Sequence, residues 1–481
     1  MYNTRLTSHG LASAIHTLSI AALLAACTVD PDAGADENKS DAGATIDWTS
    51  TEFEGRLLER ARIPVPLSYD SATSYQVDLD VTRLLNPDPE AKSLLFLQGG
   101  PGGDAGALLG YFFPGSELTP LLETHSLYFV NSRGLGENAT GFCEDFFAMD
   151  LPTDVTDESR IALQSCFDSD RNFLEAISTP TTARDLDTIR RTLDLPSWSV
   201  FGVSYGTSVA STYASLYAET VDSLILDSVT DPDIDLVNEL APAVLDSALL
   251  LQERCANEAT CPIEFAENGL SIIESLFVRS QEGWVEDDFL LGEVEVTPNA
   301  FTALLSGTLS DTSARSSLPS MLVEAYEGEP SSLLGALPPE QTLTPGNLIN
   351  VVILCREFIT GASSTTTFFG DVFLSTYSQY CPTVLDNFEV IESQSSGASM
   401  PTLVLSGQAD PLTPPAFGDK VAEKFSNSQH AVLSGYGHGV VDSPCGAKLA
   451  LEFLDNQSTA LDDTCSSDQP EWADLDDDFD F

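Results

Sequence analysis

Trp198-Ser199-Val200-Phe201-Gly202-Val203-Ser204-Tyr205-Gly206-Thr207 joins a short apolar run to a helix-like run that continues to Ala218. A strand, a tight Gly-x-Ser-x-Gly turn and a helix put the serine at the tip of a strained bend, with its hydroxyl above the end of a sheet. The residues two before and two after it must be small, because strand and helix backbones converge there. Ser204 is therefore the candidate nucleophile. The same letters in an ordinary Gly-rich turn would carry no chemistry.

Outward from this turn the pattern repeats. Ser93 to Leu97, Ser126 to Val130 and Val221 to Leu226 are short continuous apolar runs, as expected of strands buried on both faces. Ala183 to Leu193 has the apolar stripe of an amphipathic helix in Leu186, Ile189 and Leu193. Strands alternating with helices predict a mostly parallel central sheet with helices on both faces. Ile63 to Leu67 and Tyr75 to Val81 read as earlier antiparallel strands. After the sixth predicted strand the alternation stops, and residues 231–393 are mainly helical in pattern, notably Leu236 to Arg254, Leu270 to Arg279, Ala300 to Leu309 and Leu348 to Ile359. Strand and helix order returns with Pro401 to Leu405, Gly418 to Phe425, Ala431 to Leu433 and Gly446 to Leu454.

A serine hydroxyl needs a base. Of the five histidines, His9 and His16 lie in the leader and His125 and His430 begin predicted strands as ordinary turn or surface residues. His438, in Gly435-Tyr436-Gly437-His438-Gly439, follows the last predicted strand, where an imidazole could take and return a proton. Asp410, in Ser406-Gly407-Gln408-Ala409-Asp410-Pro411, follows the preceding strand and would orient that ring. An isolated Asp-Pro is more often a turn former. The order Ser204, Asp410, His438, each at a strand's C-terminal end, is the order of one known triad arrangement. Gln98-Gly99-Gly100-Pro101-Gly102-Gly103 supplies a loop without bulky Cβ atoms for an oxyanion hole, assigned to the N–H groups of Gly100 and Tyr205. No Walker lysine follows it, so a phosphate cradle is the weaker reading.

These segments, with Arg133-Gly134-Leu135-Gly136, Glu253-Arg254-Cys255 through Cys261-Pro262 and Ser443-Pro444-Cys445, resemble the prolyl aminopeptidase and tripeptidyl aminopeptidase branch of the α/β hydrolases over about residues 55 to 455. The resemblance implies the α/β-hydrolase fold with a large, mainly helical cap over the site. It implies a serine exopeptidase that needs a free N-terminus, and no cofactor. It also implies disulfides Cys355–Cys381 and Cys445–Cys465, and cap carboxylates that receive the substrate amine, best matched by Glu357 and less well by Glu239. Two positions depart from the pattern. Gln98 stands where members often have His or Asn, and Asn131 where they often have Asp.

The N-terminal stretch is an export signal in pattern: Arg5, then an apolar run from Leu18 to Ala26, too short to span a bilayer. Its end, Leu24-Ala25-Ala26-Cys27, resembles a bacterial lipoprotein signal, which implies lipidation at Cys27 and a place in the periplasm or on the cell surface; the alternative is a plain secretory signal cleaved nearby, and either way the chain is exported. The expected organisation is a signal at 1–26, an acidic tether at 27–46, core at 47–230, cap at 231–393, core at 394–465 and an acidic tail at 466–481. Setting Cys27 aside leaves Cys143, Cys166, Cys255, Cys261, Cys355, Cys381, Cys445 and Cys465, an even set suited to an oxidising compartment, with Cys255 and Cys261 the natural local pair. Ligand spacings for zinc or an EF-hand are lacking, so no metal is expected. A formal charge of −54 argues against nucleic acid and against charge-driven binding to anionic membrane; the lipid anchor is the expected membrane contact. Three functions fit: an exported serine aminopeptidase, an esterase or lipase acting on small esters with the same residues, or a catalytically silent hydrolase fold used for surface binding.

Overall fold

In a computed structural model of the chain, the described residues are 46–71, 74–136, 141–147, 157–288, 292–338, 344–359, 380–392, 397–457 and 460–472. The expected signal, Cys27, the tether to residue 45 and the last nine residues of the acidic tail (473–481) lie outside them.

The strands are β1 (Thr49–Phe53), β2 (Arg56–Pro66), β3 (Gln76–Leu84), β4 (Lys92–Leu97), β5 (His125–Val130), β6 (Trp198–Val203), β7 (Val221–Asp227), β8 (Trp284–Asp288), β9 (Gly292–Val296), β10 (Thr402–Gly407) and β11 (Ser428–Leu433). Among the described residues nine of them form one sheet in the order β1-β2-β3-β5-β4-β6-β7-β10-β11, while β8 and β9 pair with each other. The pairings β1–β2, β2–β3 and β3–β5 are antiparallel. All those from β5 through β11 are parallel.

The period-two geometry of a strand explains why its middle is apolar on both sides. Leu95, Leu97, Val200, Leu224 and Val404 face one core, shared with the helices Thr179–Thr192, Tyr205–Leu216 and Pro415–Ala422. Their neighbours Leu94, Phe96, Phe201, Ile225 and Leu403 face a second core, shared with the helix Pro444–Asn456. Each fully buried side chain of this kind contributes about 1.5–3 kcal/mol. The helices on both faces that the sequence predicts are therefore present.

The segment between β7 and β10 is mainly helical, as expected, but it divides in two. The helices Leu236–Cys255, Ile263–Gln281, Pro298–Ser310 and Leu318–Glu327 surround a third core of their own. The helix Pro345–Ile353 and the residues around Cys355 and Phe388 instead join the first core of the sheet. Three expectations need correction. The polar strand β1 adds an edge, so the insertion follows the seventh strand rather than the sixth; a strand exposed at four of its five residues gives little apolar signal. The hairpin β8–β9 interrupts the helical run. The acidic tail does not begin at residue 466: Pro470 O accepts from Arg254 Nη2 at 2.6 Å and the Arg254 guanidinium lies 5.1 Å from the Trp472 ring, so residues to 472 are docked.

Four disulfides, Cys143–Cys166, Cys255–Cys261, Cys355–Cys381 and Cys445–Cys465, use all eight cysteines after Cys27. The Arg133 loop is fixed by a buried ion pair. Arg133 donates from Nε and Nη2 to the two oxygens of Asp185, each at 2.7 Å, and to the carbonyls of Leu67 and Pro66. All three nitrogens donate, through four of the five N–H groups, an arrangement that a lysine could not reproduce. Arg133→Ala leaves the Asp185 carboxylate buried and unpaired. It is expected to lower unfolding free energy by about 3–5 kcal/mol in denaturant titration, and Arg133→Lys is expected to recover little of it.

Candidate functional site

Ser204 stands between β6 and the helix Tyr205–Leu216 with φ 55° and ψ −127°, a left-handed conformation that costs a non-glycine residue energy. Close packing holds it there. A Cβ on Gly202 would run into the carbonyl of Gly206, and one on Gly206 into the carbonyl of Leu97 at the end of β4. Tyr205 is the first residue of its helix, so its N–H has no carbonyl one turn back.

The loop after β4 lies directly against this turn: a Cβ on Gly99 would stand 2.8 Å from Ser204 Cβ. Gly99 N–H donates to Gln98 Oε1 at 2.9 Å and Gly103 N–H to Gly99 O at 3.2 Å. Among the described residues the N–H of Gly100 has no partner, which leaves it available to an oxyanion. The two positions that depart from the family pattern both brace this region. Gln98 takes the Gly99 N–H, and Asn131 accepts from Ala105 N–H at 2.7 Å and donates to Asp104 at 3.0 Å.

His438 Nδ1 and Asp410 Oδ2 are 2.8 Å apart. Asp410 is buried, and its Oδ1 accepts from the N–H groups of Leu412 and Thr413 at 2.8 and 2.9 Å, while Thr413 Oγ1 donates to Oδ2 at 2.6 Å. Burial opposes ionisation of Asp410. The charge of His438 and the hydrogen bonds from His438 and Thr413 outweigh it and hold the carboxyl below its ordinary range. Burial likewise disfavours a charged His438, but Asp410, aided by Asp227, outweighs it and holds the ring's pKa above the ordinary value. Ser204 Oγ makes no hydrogen bond to His438 in this structure; the bond between nucleophile and base commonly tightens only with substrate bound.

The helical insertion touches the loops that carry these residues. Ser310 O, at the end of the helix Pro298–Ser310, accepts the His438 N–H at 2.8 Å, and a Cβ on the adjacent Gly437 would collide with the same carbonyl. Ser247 Oγ donates to Ala409 O at 2.7 Å, one residue from Asp410. Asn350 Nδ2 donates to Pro101 O at 3.1 Å in the Gly-rich loop.

Glu357 lies in a single π-helical turn, Leu354–Phe358, and is 5% exposed. Its Oε1 accepts the N–H of Thr179 at 2.9 Å, and Thr179 Oγ1 is 2.8 Å from the hydroxyl of Tyr205. Burial pushes Glu357 up to about 7 against the opposing pull of the Thr179 hydrogen bonds and Arg356. The structure therefore brings Glu357 within one side chain of Tyr205. Glu239 is elsewhere, half-exposed, with Lys420 Nζ 3.9 Å away.

A second Ser–His–Asp chain exists. His430 Nε2 is 2.9 Å from Ser406 Oγ and its Nδ1 is 2.9 Å from Asp419 Oδ1. Ser406 is fully buried in β10, and a Cβ on Gly418 would stand 2.7 Å from its Oγ, so no substrate can reach it. Geometry of three side chains is not enough; access separates this chain from Ser204. His125, read from sequence as a surface or turn residue, is in fact buried at the start of β5, and that burial lowers its pKa to about 4.

One residue escaped the sequence reading. Asp227 ends β7 and is fully buried. Its carbonyl accepts the Ser204 N–H at 2.9 Å, and its carboxylate accepts the N–H groups of Val440 and Val441, both at 2.9 Å for Oδ2. It thus ties the serine turn to the chain two residues beyond His438. Burial raises its pKa to about 7 despite these two bonds. The signal available in sequence was an acid at the end of a buried strand, Leu226-Asp227-Ser228, beside the serine strand. Asp227→Asn places an NH2 against a backbone N–H and removes a negative charge near His438. It is expected to lower kcat by at least about tenfold with KM little changed, about 1.4 kcal/mol of lost alignment, and to shift the acid limb of kcat/KM to lower pH. A loss of stability with an unmoved limb would mean that Asp227 only holds the fold.

A family model described as alpha/beta hydrolase fold matches residues 92–252, and one described as TAP-like protein matches residues 366–465. A tripeptidyl aminopeptidase of Streptomyces coelicolor is 30% identical over 221 residues, covering 41% of this chain and 40% of that one. The serine protease Hip1 of Mycobacterium tuberculosis is 25% identical over 245 residues, 46% of this chain and 47% of that one. Carboxylesterase B of the same organism is 26% identical over 264 residues, 50% and 51%. The chain thus spans 40% to 51% of the length of these curated relatives. Among solved structures, a proline iminopeptidase-related protein from Thermus thermophilus is 17% identical, with 83% of this chain and 98% of that one covered at a TM-score of 0.41. The sheet order, the strained serine turn and the two matching family models agree that this chain has the α/β-hydrolase fold.

Proposed function

We propose that this chain is an exported serine aminopeptidase with Ser204 as nucleophile, His438 as general base and acid, and Asp410 as the group that orients the ring. The observation that carries the reading is the buried Asp410–His438 bond at 2.8 Å on a loop that Asp227 ties to the Ser204 turn. Ser204 Oγ attacks the scissile carbonyl carbon while His438 Nε2 takes the hydroxyl proton. The carbonyl oxygen becomes an oxyanion, held by the N–H groups of Tyr205 and Gly100. The intermediate collapses to an acyl-enzyme as His438 gives the proton to the leaving amine. Water then enters by the same route and releases the acyl product. Four disulfides suit a chain that folds outside the cytoplasm, and lipidation at Cys27 would hold it to a membrane.

The aminopeptidase part rests on Glu357. A buried carboxylate whose pKa is raised to about 7 gains most from a substrate ammonium, which restores its charge and relieves its desolvation. The matches to a TAP-like family model and to a tripeptidyl aminopeptidase point the same way. Carboxylesterase B, 26% identical over 264 residues, keeps an esterase as the second reading.

Hydrolysis of prolyl, alanyl and tripeptidyl anilides, each beside its N-acetylated twin, tests the choice. Cleavage of the free amines alone supports the aminopeptidase, and equal or better cleavage of the blocked forms transfers the activity to an endopeptidase or esterase. Ser204→Ala is expected to lower kcat by at least about 10⁴-fold. The rate should fall as pH drops through a His438 pKa above 6.5, because the protonated ring cannot act as base. Alaninamide, as a competitive inhibitor, should bind more weakly below pH 7 as Glu357 takes a proton. In Glu357→Gln its inhibition constant should rise about 10–100-fold and lose that dependence on pH, in keeping with about 1.5–3 kcal/mol for a hydrogen bond to a charged group.

A further inference from the structure

Behind the Asp410 loop is a cavity of about 310 Å³ whose lining includes Arg315, Arg254, Gln408 and Trp472. Arg315, in the short turn Ala314–Ser317, is 6% exposed. Its Nη1 donates to the carbonyls of Gly435 at 3.2 Å and Ala409 at 3.5 Å. Among the described residues no carboxylate lies within ion-pair distance of it. Its neighbour Arg254, at the end of the helix Leu236–Cys255, has its own partners in Glu258 at 3.3 Å and Pro470 O at 2.6 Å. A buried guanidinium held only by two long bonds to carbonyls is costly, and the cost is greater beside a second one. Burial, then Arg254, lower the Arg315 pKa to about 10, with Asp410 opposing. In a chain with 74 acidic and 20 basic residues, a cation without a counter-charge marks a place where something anionic belongs. The rim carries the opposite sign: Glu253 and Glu471 line the cavity and are exposed.

We infer that this cavity binds a small zwitterion, a free amino acid or short peptide, with its carboxylate on Arg315 and its ammonium toward Glu253 and Glu471. A basic floor under an acidic rim favours that charge pair over a simple anion, which the rim repels, and over a simple cation, which the floor repels. The site is separate from Ser204 but touches the same loop, because the Ala409 carbonyl that Arg315 holds precedes Asp410. A bound carboxylate offsets the positive field of Arg315 at Asp410. The imidazolium of His438 is then better stabilised, and less of the free base exists at a given pH. Occupancy therefore raises the pH at which activity sets in, so products of peptide cleavage would slow their own formation. That last step rests on the peptidase reading; the binding site does not.

Isothermal titration calorimetry of the full chain with L-alanine and dialanine tests it, with acetate, sodium chloride and alaninamide as comparison probes. The expected result is binding of alanine or dialanine at least about tenfold tighter than any of the three. It should be lost in Arg315→Gln and retained in Glu357→Gln, which separates this cavity from the proposed amine pocket. Glu471→Gln, an exposed change, should weaken alanine while leaving acetate as tight or tighter, because one repelling rim charge is gone, and it remains informative if Arg315→Gln does not fold. In wild type, saturating alanine should move the acid limb of the pH–rate profile upward. Equal binding of acetate and alanine, equal binding of alaninamide, or no binding overturns the inference. So does alanine binding that arises only in a variant ending at Trp472, since the occupant would then be the chain's own acidic end.

Discussion

The structure depends on how closely the backbone of the serine turn can approach its neighbours. β6, the helix Tyr205–Leu216 and the end of β4 meet with no room for a Cβ on Gly202 or Gly206. That contact holds Ser204 at φ 55° and brings the Gly99 loop against its side chain. The strain is borne by two large apolar cores, one on each face of the sheet, and by the hydrogen bond from Ser204 N–H to Asp227 O.

Positions in the sheet then determine the chemistry. β4, β6, β10 and β11 run parallel, so the loops that leave their C-terminal ends gather at one edge. Residues more than two hundred apart in the chain, Ser204 and Asp410, are gathered without any contact between their own segments in sequence. Asp227 on β7 closes the arrangement, since one residue holds the serine turn by its carbonyl and the histidine loop by its carboxylate. The helical insertion completes it from above, with Ser310 on His438, Ser247 on Ala409 and Asn350 on Pro101. An insertion wired to each of these loops can transmit what it binds, which is why the Arg315 cavity bears on the site.

Much of this was legible in sequence for identifiable reasons. Continuous apolar runs such as Leu94-Leu95-Phe96-Leu97 mark strands covered on both faces, and the structure puts their alternate residues into two different cores. The Gly-rich turns around Ser204 and His438 carry their own backbone requirements. β1 was missed because four of its five residues are exposed, and an edge strand packed on little has no apolar pattern to read. Residues 466 to 472 read as tail because acidic composition hides a single anchoring Trp472. His125 and His430 both looked like turn residues, yet one is buried and the other belongs to a sealed Ser–His–Asp chain. Neither fact has a local signature.

By itself the sequence determined the alternation of strands and helices, the tight turn at Ser204, the order of the three loops and an even set of cysteines. Those properties are local or nearly so: they follow from side-chain period, Cβ sterics and spacing. Only the tertiary structure decided which carboxylates matter and which cavity they face. Asp227, Glu357 and Arg315 gain their character from burial and from partners supplied by distant segments, whereas Glu239, no different in composition, is left half in solvent beside Lys420. A charge acquires a role from the dielectric and the neighbours around it, and those are set by packing across the whole chain.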